Sequence, residues 1–339
     1  MSIAFARAAG TLAILLALLL AGCARAPEVL ELTGNSMGTT WSVKAVAPAA
    51  ARAAMSARIE ARLAALVAEM SAWEPESELA RFNRAAPGST MHFSPDLCTV
   101  LGYAVVLARD TDGAYDPTIG ALAALWGFGP QAVPRTRPPG AGDIEAARAQ
   151  TGWQALDFDA ARCRASQPGG LLLDVSSLGP GSAVDQIAAE LDALGISDHL
   201  VELGGEMHAR GQRPDGQPWR IAIERPDDAG ARDVIVALRD AGLGTSGDYR
   251  SGFVHAGRRY SHSLDPRTGV PVQHGLAAVT VLGDCAMVSD AQAAALMVLG
   301  PQQGYAFASA RGIAAVFTVR ETGGYVRRFT PAFEAHLAP

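Results

Sequence analysis

Gly244-Thr-Ser-Gly-Asp-Tyr-Arg250 and, after a short spacer, Ser261-His-Ser-Leu-Asp-Pro-Arg-Thr-Gly-Val-Pro271 form the stretch around which this chain is organised. The stretch sets hydroxyl, imidazole and carboxylate groups among glycines and prolines, a composition typical of a site. Pro266 fixes its own φ and Gly269 can adopt a positive φ, so an Asp-Pro turn is predicted. His262 enters this rigid corner and, because histidine titrates near neutrality, is the natural general base. Taken alone, the stretch also fits a surface turn with a solvated histidine.

The N-terminus predicts export. An apolar run that begins at Leu12 ends in Leu-Ala-Gly-Cys at Cys23, a pattern that resembles the lipobox of bacterial lipoproteins. We predict that residues 1–22 form a signal peptide, that Cys23 is acylated and begins a tether ending at residue 29, and that residues 30–339 form the folded domain. A plain signal peptide is the alternative. Acylation would hold the protein on the periplasmic side of a membrane by its lipid alone.

Composition excludes two classes of function. The 339 residues include 34 acidic and 28 basic side chains, and no basic run is present, so nothing favours nucleic acid as a partner. Apart from Cys23, the cysteines are Cys98, Cys163 and Cys285, without CxxC or Cys/His spacing, which makes a metal–cysteine site unfavourable. The three thiols fit either one disulfide and a free thiol or three buried thiols.

The segment from Asp174 to Asp185 predicts an anion site. A strand over 170–175 leads into a Ser/Gly-rich loop, and a helix over 183–194 follows. The N–H groups and the dipole at such a helix start favour an anionic ligand. The loop has neither a Walker lysine nor GxGxxG spacing. Asp185 falls in the first predicted helical turn, where its carboxylate could bind a ligand or only complement the dipole.

Two further side chains each carry two interpretations. Trp73 follows a predicted helix that ends at Met70 and could offer its ring to a flat ligand or simply cover the core. Asp290 lies near the start of an apolar helix over 285–300 and could be an N-terminal charge, the favoured interpretation for it alone, or a ligand for a hard metal ion.

Several separated blocks cover nearly the whole mature chain, in this order: Met37-Gly-Thr39, Ser71-Ala-Trp73, Arg81-Phe-Asn83, Asp116-Pro-Thr118, Leu125-Trp-Gly-Phe-Gly129, Asp174-Val-Ser-Ser177, Ala183-Val-Asp185, Gly204-Gly-Glu206, the opening stretch and Val288-Ser-Asp290. This ordered set closely resembles the ApbE family, whose members are FAD:protein FMN transferases.

The resemblance implies both fold and chemistry. The implied fold is α+β, with mixed β-sheets flanked by helices in two interlocked lobes and the flavin in the cleft between them. The implied reaction uses FAD and Mg²⁺, splits the pyrophosphate, attaches FMN to a Thr or Ser hydroxyl of a target flavoprotein and releases AMP. Such a reaction needs a surface for the flavin ring, a phosphate site, a divalent ion and a base for the attacking hydroxyl.

The resemblance also assigns roles by position. His262 would be the base and Asp265 would shape its loop. The magnesium ligands would be Asp290 and the backbone carbonyl of Gly179. Met37 and Trp73 would flank the flavin. The remaining cofactor-binding positions would be Ala114, Tyr115, Asp116, Gly181, Asp185, Thr245 and Leu264, of which Gly181 and Asp185 belong to the loop for the diphosphate or ribityl part.

Two positions differ from the family pattern, and the differences leave two alternative functions open. Pro180 removes any side-chain role at a place that is often lysine or glutamate, and Ala294 replaces a usual threonine, so a water molecule would have to supply that metal ligand or the ion would bind more weakly. The alternatives are an Mg²⁺-dependent hydrolase that converts FAD to FMN and AMP, and a flavin-binding lipoprotein without enzymatic activity.

Overall fold

The structure is a computed structural model that describes residues 28–130, 132–226, 234–249 and 251–337. The predicted signal peptide, Cys23 and most of the predicted tether therefore lie outside the described residues. Within the described ranges, no helix has both the length and the hydropathy needed to cross a bilayer.

The strands are, in chain order, β1 (Glu28–Ser36), β2 (Thr39–Ala47), β3 (Thr90–His92), β4 (Asp157–Asp159), β5 (Arg164–Ser166), β6 (His199–Leu203), β7 (Glu206–Arg210), β8 (Trp219–Ile223), β9 (Val234–Leu238), β10 (Ala241–Gly247), β11 (Gly252–His255), β12 (Arg258–Ser261), β13 (Leu264–Asp265), β14 (Val270–Pro271), β15 (Leu276–Gly283), β16 (Ala314–Glu321) and β17 (Gly324–Phe329). Eight of them form one sheet in the order β1-β2-β6-β7-β10-β15-β16-β17. Every ladder between these described strands is antiparallel, so the predicted mixture of strand directions is corrected.

The helices are α1 (Arg52–Met70), α2 (Glu78–Asn83), α3 (Pro95–Asp110), α4 (Gly120–Trp126), α5 (Ala141–Arg148), α6 (Gly179–Ala193), α7 (Ala286–Ala310) and α8 (Pro331–Glu334). One apolar core joins β1 and β2 to α1, α3 and α6, through residues such as Val43, Ile59, Leu101 and Ile187. The β8–β9 hairpin covers the opposite face of the main sheet, where Ile221 and Val236 pack with Leu243 of β10. Burial of alternate residues along β8 follows from the period of two in a strand.

Helix α7 lies unusually close to its neighbours because three glycines face it. A Cβ added to Gly181 would lie 2.6 Å from the carbonyl oxygen of Ala286, one added to Gly242 would lie 2.2 Å from the nitrogen of Ala286, and one added to Gly244 would lie 2.3 Å from the nitrogen of Asp290. Real Cβ contacts are not this short. These glycines therefore let the start of α7 pack directly on the backbone of α6 and β10.

Three local predictions are corrected. Residues 170–175 form no named strand, and Leu172 makes only an isolated bridge with Ile119. Helix α6 begins at Gly179 rather than at residue 183, because Pro180 is well suited to the first helical turn. The Gly244–Gly247 segment does not belong to a surface turn but to β10, since it pairs with β15 as far as Gly247.

The cysteines resolve an alternative that the sequence left open. Cys98 of α3 and Cys163, just before β5, form a disulfide, and Cys285 is a free thiol. The bridge closes a separation of 65 residues and ties α3 to the small sheet of β3, β4 and β5.

Gly244→Ala is expected to lower the free energy of unfolding by about 1–3 kcal/mol, because the new methyl would meet the backbone of α7 and not a side chain that can turn away. Urea unfolding of the purified protein measures this difference. Gly142→Ala on α5 is the matched control: a Cβ there meets nothing within 4 Å, so the change should be neutral or stabilising by up to about 1 kcal/mol. Equal stability of the two variants would contradict the tight packing of α7.

Candidate active site

A cavity of about 430 Å³ lies where α7, β10 and the loop after β12 meet. Its walls come from six separated parts of the chain, within residues 114–128, 174–180, 204–206, 245–251, 262–266 and 290–298. Seven of the residues predicted for the site line it, namely Ala114, Tyr115, Asp116, Thr245, His262, Leu264 and Asp290. We call it the His262 cavity.

A second cavity of about 690 Å³ adjoins the first and is lined by Met37, Trp73 and Gly179. Asp174, Ser176 and Pro180 line both cavities, so the two form one continuous concave surface. The Trp73 side chain is 58% exposed, which contradicts the interpretation that it covers the core. Its ring is free to stack on a flat ligand, as predicted for the flavin.

His262 is held in the tautomer that a base requires. Its Nδ1 lies 3.3 Å from the carbonyl oxygen of Ser251, and because that oxygen only accepts, Nδ1 donates and Nε2 of the neutral ring keeps its lone pair. The ring edge of Phe128 packs on the imidazole at a centroid distance of 6.3 Å. Desolvation by the surrounding atoms lowers the pKa of His262, with an opposing effect from the Ser251 carbonyl. Solvent still reaches the side chain at the cavity mouth.

Asp265 shapes the loop after His262 through contacts within the turn. Its carboxylate accepts from the backbone N–H of Arg267 at 3.0 Å and from the Arg267 guanidinium at 2.9 and 2.8 Å. Its carbonyl oxygen accepts from the N–H of Gly269 at 2.8 Å. Asp265 is not among the residues that line either cavity, while its neighbours Leu264 and Pro266 line the first.

Asp290 and Glu206 bring two buried carboxylates to the same cavity. Their side chains are only 5% and 8% exposed, and both line the cavity wall. Asp290 accepts from the N–H of Gly181 at 3.3 Å. Burial raises the pKa of Asp290 well above its ordinary value, and the negative charge of Glu206 raises it further. A bound cation would relieve both effects.

The negative charge of the cavity wall also favours a bound cation. Asp116, Asp174, Glu206 and Asp290 line it, whereas none of its described lining residues is Lys or Arg. No cluster of three or more His, Cys, Asp or Glu side chains that could hold a metal occurs among the described residues. A divalent ion bound here would therefore need backbone, water or substrate oxygens in addition to carboxylates.

The Asp185 carboxylate caps the start of α7 and does not line a cavity. Its carboxylate accepts from the N–H groups of Ala286 at 2.8 Å and Met287 at 2.9 Å, at the start of α7, and lies 2.7 Å from Nδ1 of His208. It lies in the second turn of α6, not in the first, and lines neither cavity. Gly181 likewise lines neither and serves as the contact surface for α7. Gly181 and Asp185 thus lie at the junction of α6 and α7, while Asp174, Ser176, Ser177 and Pro180 of the same segment line the His262 cavity. The role of this segment toward the diphosphate stays a prediction.

Three other predicted residues are anchored as follows. Asp116 accepts from the N–H and hydroxyl of Thr118 at 2.8 and 2.7 Å, while burial raises its pKa. The Tyr115 hydroxyl lies 3.2 Å from the hydroxyl of Ser177, and burial raises the pKa of the phenol. The hydroxyl of Thr245 contacts Thr280 at 2.9 Å, on the face of β10 opposite the one that Gly244 presents to α7.

Sequence reasoning missed several lining residues: Glu206, Phe128, Ser177 and Ser251. Glu206 had a usable signal, because a carboxylate directly after the Gly204-Gly205 break in a strand lies where a ligand can approach the backbone. Phe128 and Ser177 lie in segments that carry the family resemblance, but the resemblance assigned neither of them a role. Ser251 had no sequence signal, since its contribution is a backbone carbonyl.

Known proteins are similar to this chain over nearly its whole length. The ApbE family model matches residues 37–317. An FAD:protein FMN transferase of Haemophilus influenzae is 36% identical over 334 residues, and the match covers 96% of each chain. One from Vibrio cholerae is 37% identical, with 95% of this chain and 96% of that chain covered.

Solved structures show the same fold. The apo form of the flavinyl transferase ApbE of Pseudomonas stutzeri superposes with a TM-score of 0.85 at 43% identity and covers 92% of this chain and 98% of its own. The flavin transferase ApbE of Vibrio cholerae gives a TM-score of 0.84 at 35% identity, with 92% of this chain and 100% of that chain covered. The predicted α+β class is therefore confirmed.

Asp185→Ala is expected to lower the free energy of unfolding by about 1–3 kcal/mol without any ligand, because two N–H groups at the start of α7 lose their acceptor. Urea unfolding measures it. Glu190→Gln, on the same helix, is the control, since its ion pair with Arg58 lies at the surface and should contribute at most about 1 kcal/mol. Unchanged stability in Asp185→Ala, together with weakened flavin binding, would return Asp185 to the ligand site.

Proposed function

This chain belongs to the ApbE family, and from that premise we propose that it is an FAD:protein FMN transferase that attaches FMN to a Thr or Ser hydroxyl of a target flavoprotein. The observation that carries the proposal is the convergence, in one cavity, of a neutral imidazole and a buried carboxylate pair. The first group suits proton removal from a hydroxyl, and the second suits a divalent cation.

His262 acts on the attacking group. Its Nε2 accepts the proton of the acceptor hydroxyl while the oxygen forms a bond to the phosphorus of the FMN half of FAD. The bond from that phosphorus to the bridging oxygen breaks, and AMP leaves. The hydrogen bond of Nδ1 to Ser251 keeps the ring oriented throughout, as a general base requires.

Asp290 and Glu206 fit Mg²⁺, with the carbonyl of Gly179 as a further oxygen ligand proposed from the family pattern. When bound, the ion would neutralise the charge of the pyrophosphate. The carboxylates of the wall would otherwise repel that anion. Ala294 also lines the cavity and offers no oxygen, so water would complete the coordination.

Met37 and Trp73 serve the flavin ring in the adjoining cavity. Trp73 presents an exposed indole face, and Met37 lies at the turn between β1 and β2 with a positive φ of 50°. A flat ring between an aromatic face and a thioether gains dispersion contacts on both sides.

A second candidate is FAD hydrolysis, which one observation favours. His262 is open to solvent at the cavity mouth, so water could take the place of the acceptor hydroxyl when no acceptor is bound. The products would be FMN and AMP.

For the cellular setting, we propose that a lipid on Cys23 holds the protein at a membrane on the periplasmic side. The N-terminal pattern supports this, and the Cys98–Cys163 disulfide fits an oxidising compartment. Only a short tether separates Cys23 from β1, so the folded domain would work close to the membrane surface.

The transfer assay tests the function directly. Purified protein, FAD and Mg²⁺ are mixed with an acceptor flavoprotein that the Vibrio cholerae relative modifies, and covalent flavin is detected as a fluorescent protein band. We expect a band that EDTA abolishes and that Asp290→Asn weakens by at least about tenfold, because one carboxylate ligand is lost. If the relative gives a fluorescent band and this protein gives none, the proposed transfer is refuted. If AMP is released at the same rate with and without the acceptor, the hydrolase is favoured instead.

His262 gives a pH prediction. Its pKa is lowered from the usual 6.5, so the ring is neutral at pH 7 and the rate should fall only as the pH drops through a value below 6.5. The acidic limb of kcat/KM measures that value. His262→Ala should lose transfer by about a hundredfold or more yet still bind FAD, whereas His92→Ala, on exposed β3, should behave as wild type. Retained transfer in His262→Ala would move the base elsewhere.

A further inference from the structure

A basic surface borders the His262 cavity in a chain whose formal net charge is −6. It is built from the loop over residues 132–137 and from the β11–β12 hairpin. Neither residues 127–142 nor residues 251–263 include an Asp or a Glu. We call this surface the arginine rim; its charged members are Arg135, Arg137, Arg258 and Arg259.

The two segments of the rim are held together beside His262. Nδ1 of His255, on β11, lies 3.2 Å from the carbonyl oxygen of Thr136. The rings of Phe253 and Tyr260 stack on each other at 5.2 Å, and Tyr260 stacks on Trp126 of α4 at 5.7 Å. Strand β12 ends at Ser261 and leads directly into His262. The rim is therefore fixed next to the mouth through which solvent reaches the imidazole.

The guanidinium groups of the rim are not neutralised. Among the described residues, none of the four forms an ion pair with a carboxylate. Arg258 donates to the amide oxygen of Gln273 at 2.6 Å, and Arg259 donates to the backbone oxygen of Asp248. By contrast, Arg267 and Arg320, which lie close by in the sequence or the fold, pair with Asp265 and Asp248. Positive charge thus remains available to a partner.

Exposed apolar side chains accompany this charge. Val133 is 79% exposed and Val254 is 64% exposed, and each lies within one of the two rim segments. A groove of about 450 Å³ runs along the loop that carries Val133 and Arg137. Charge combined with exposed apolar groups around a groove is typical of a surface that another protein covers.

We propose that the arginine rim is the docking surface for the acceptor flavoprotein and that it recognises an acidic, partly apolar segment next to the acceptor Thr or Ser. The inference rests on the proposed function, because that reaction requires a protein hydroxyl to reach Nε2 of His262 from the solvent side. The rim is the surface at that opening, and its charge is complementary to carboxylates. Long-range attraction between the two would raise the association rate.

The test uses Arg137→Glu, Arg258→Glu and the double variant. These two arginines are exposed, whereas Arg135 is partly buried and Arg259 lies against the segment around Asp248. Arg220→Glu is the control, because it makes the same charge change at an exposed position of β8, in the hairpin that covers the opposite face of the main sheet. For each protein, KM and kcat for the acceptor are measured at low and high salt, and FAD affinity is measured separately by flavin fluorescence. A second acceptor, in which every Asp or Glu close to the acceptor Thr or Ser is changed to Asn or Gln, completes the design.

The double variant should raise the KM for the acceptor by about tenfold at low salt and by much less at high salt, with kcat and FAD affinity unchanged. The neutralised acceptor should be insensitive to the same substitutions, and Arg220→Glu should match wild type. An unchanged acceptor KM while wild type transfers normally would overturn the docking surface alone. Loss of FAD affinity in the double variant would also overturn it, by assigning the rim to the nucleotide. Absence of transfer by the wild type would overturn the proposed function and this inference with it.

Discussion

The contact of one helix with bare backbone is the constraint on which this structure depends. Helix α7 can lie against β10 and α6 only because Gly181, Gly242 and Gly244 have no side chains. The same approach brings Asp290 to the cavity wall beside Glu206 of β7. Asp185 then fixes the start of the helix from the other side. The packing of α7 therefore sets the geometry of the site. A side chain added at Gly244 would meet the backbone of Asp290 directly, and so would move its carboxylate.

Electrostatics explains why the site would need both a cation and a neutral base. Carboxylates line a cavity that is proposed to receive a pyrophosphate, and no described lining residue carries a fixed positive charge. The substrate and the metal ion are therefore expected to depend on each other for binding. Desolvation acts in opposite directions on the two kinds of group: it keeps His262 neutral and ready to accept a proton, and it makes the charged form of Asp290 costly unless a cation is present.

Sequence reasoning located much of the site because its chemistry is local. The Asp-Pro turn after His262, the tryptophan at the end of α1 and the carboxylate near the start of α7 could all be predicted from neighbouring residues. It failed where the deciding contact is distant. Asp185 meets the N–H groups of residues 101 and 102 positions away, and no local pattern shows that. The side of β10 that Thr245 faces depends in the same way on its register with β15.

The carboxylate of Asp185 has an effect beyond the helix that it caps. Cys285, the thiol left over from the disulfide, directly precedes α7, and burial together with the charge of Asp185 raises its pKa. Thiol–disulfide exchange proceeds through the thiolate, so this sulfur is a poor nucleophile. In the folded protein the Cys98–Cys163 bridge is therefore protected from exchange with the third sulfur of the same chain, because little of the Cys285 thiolate is present to attack it.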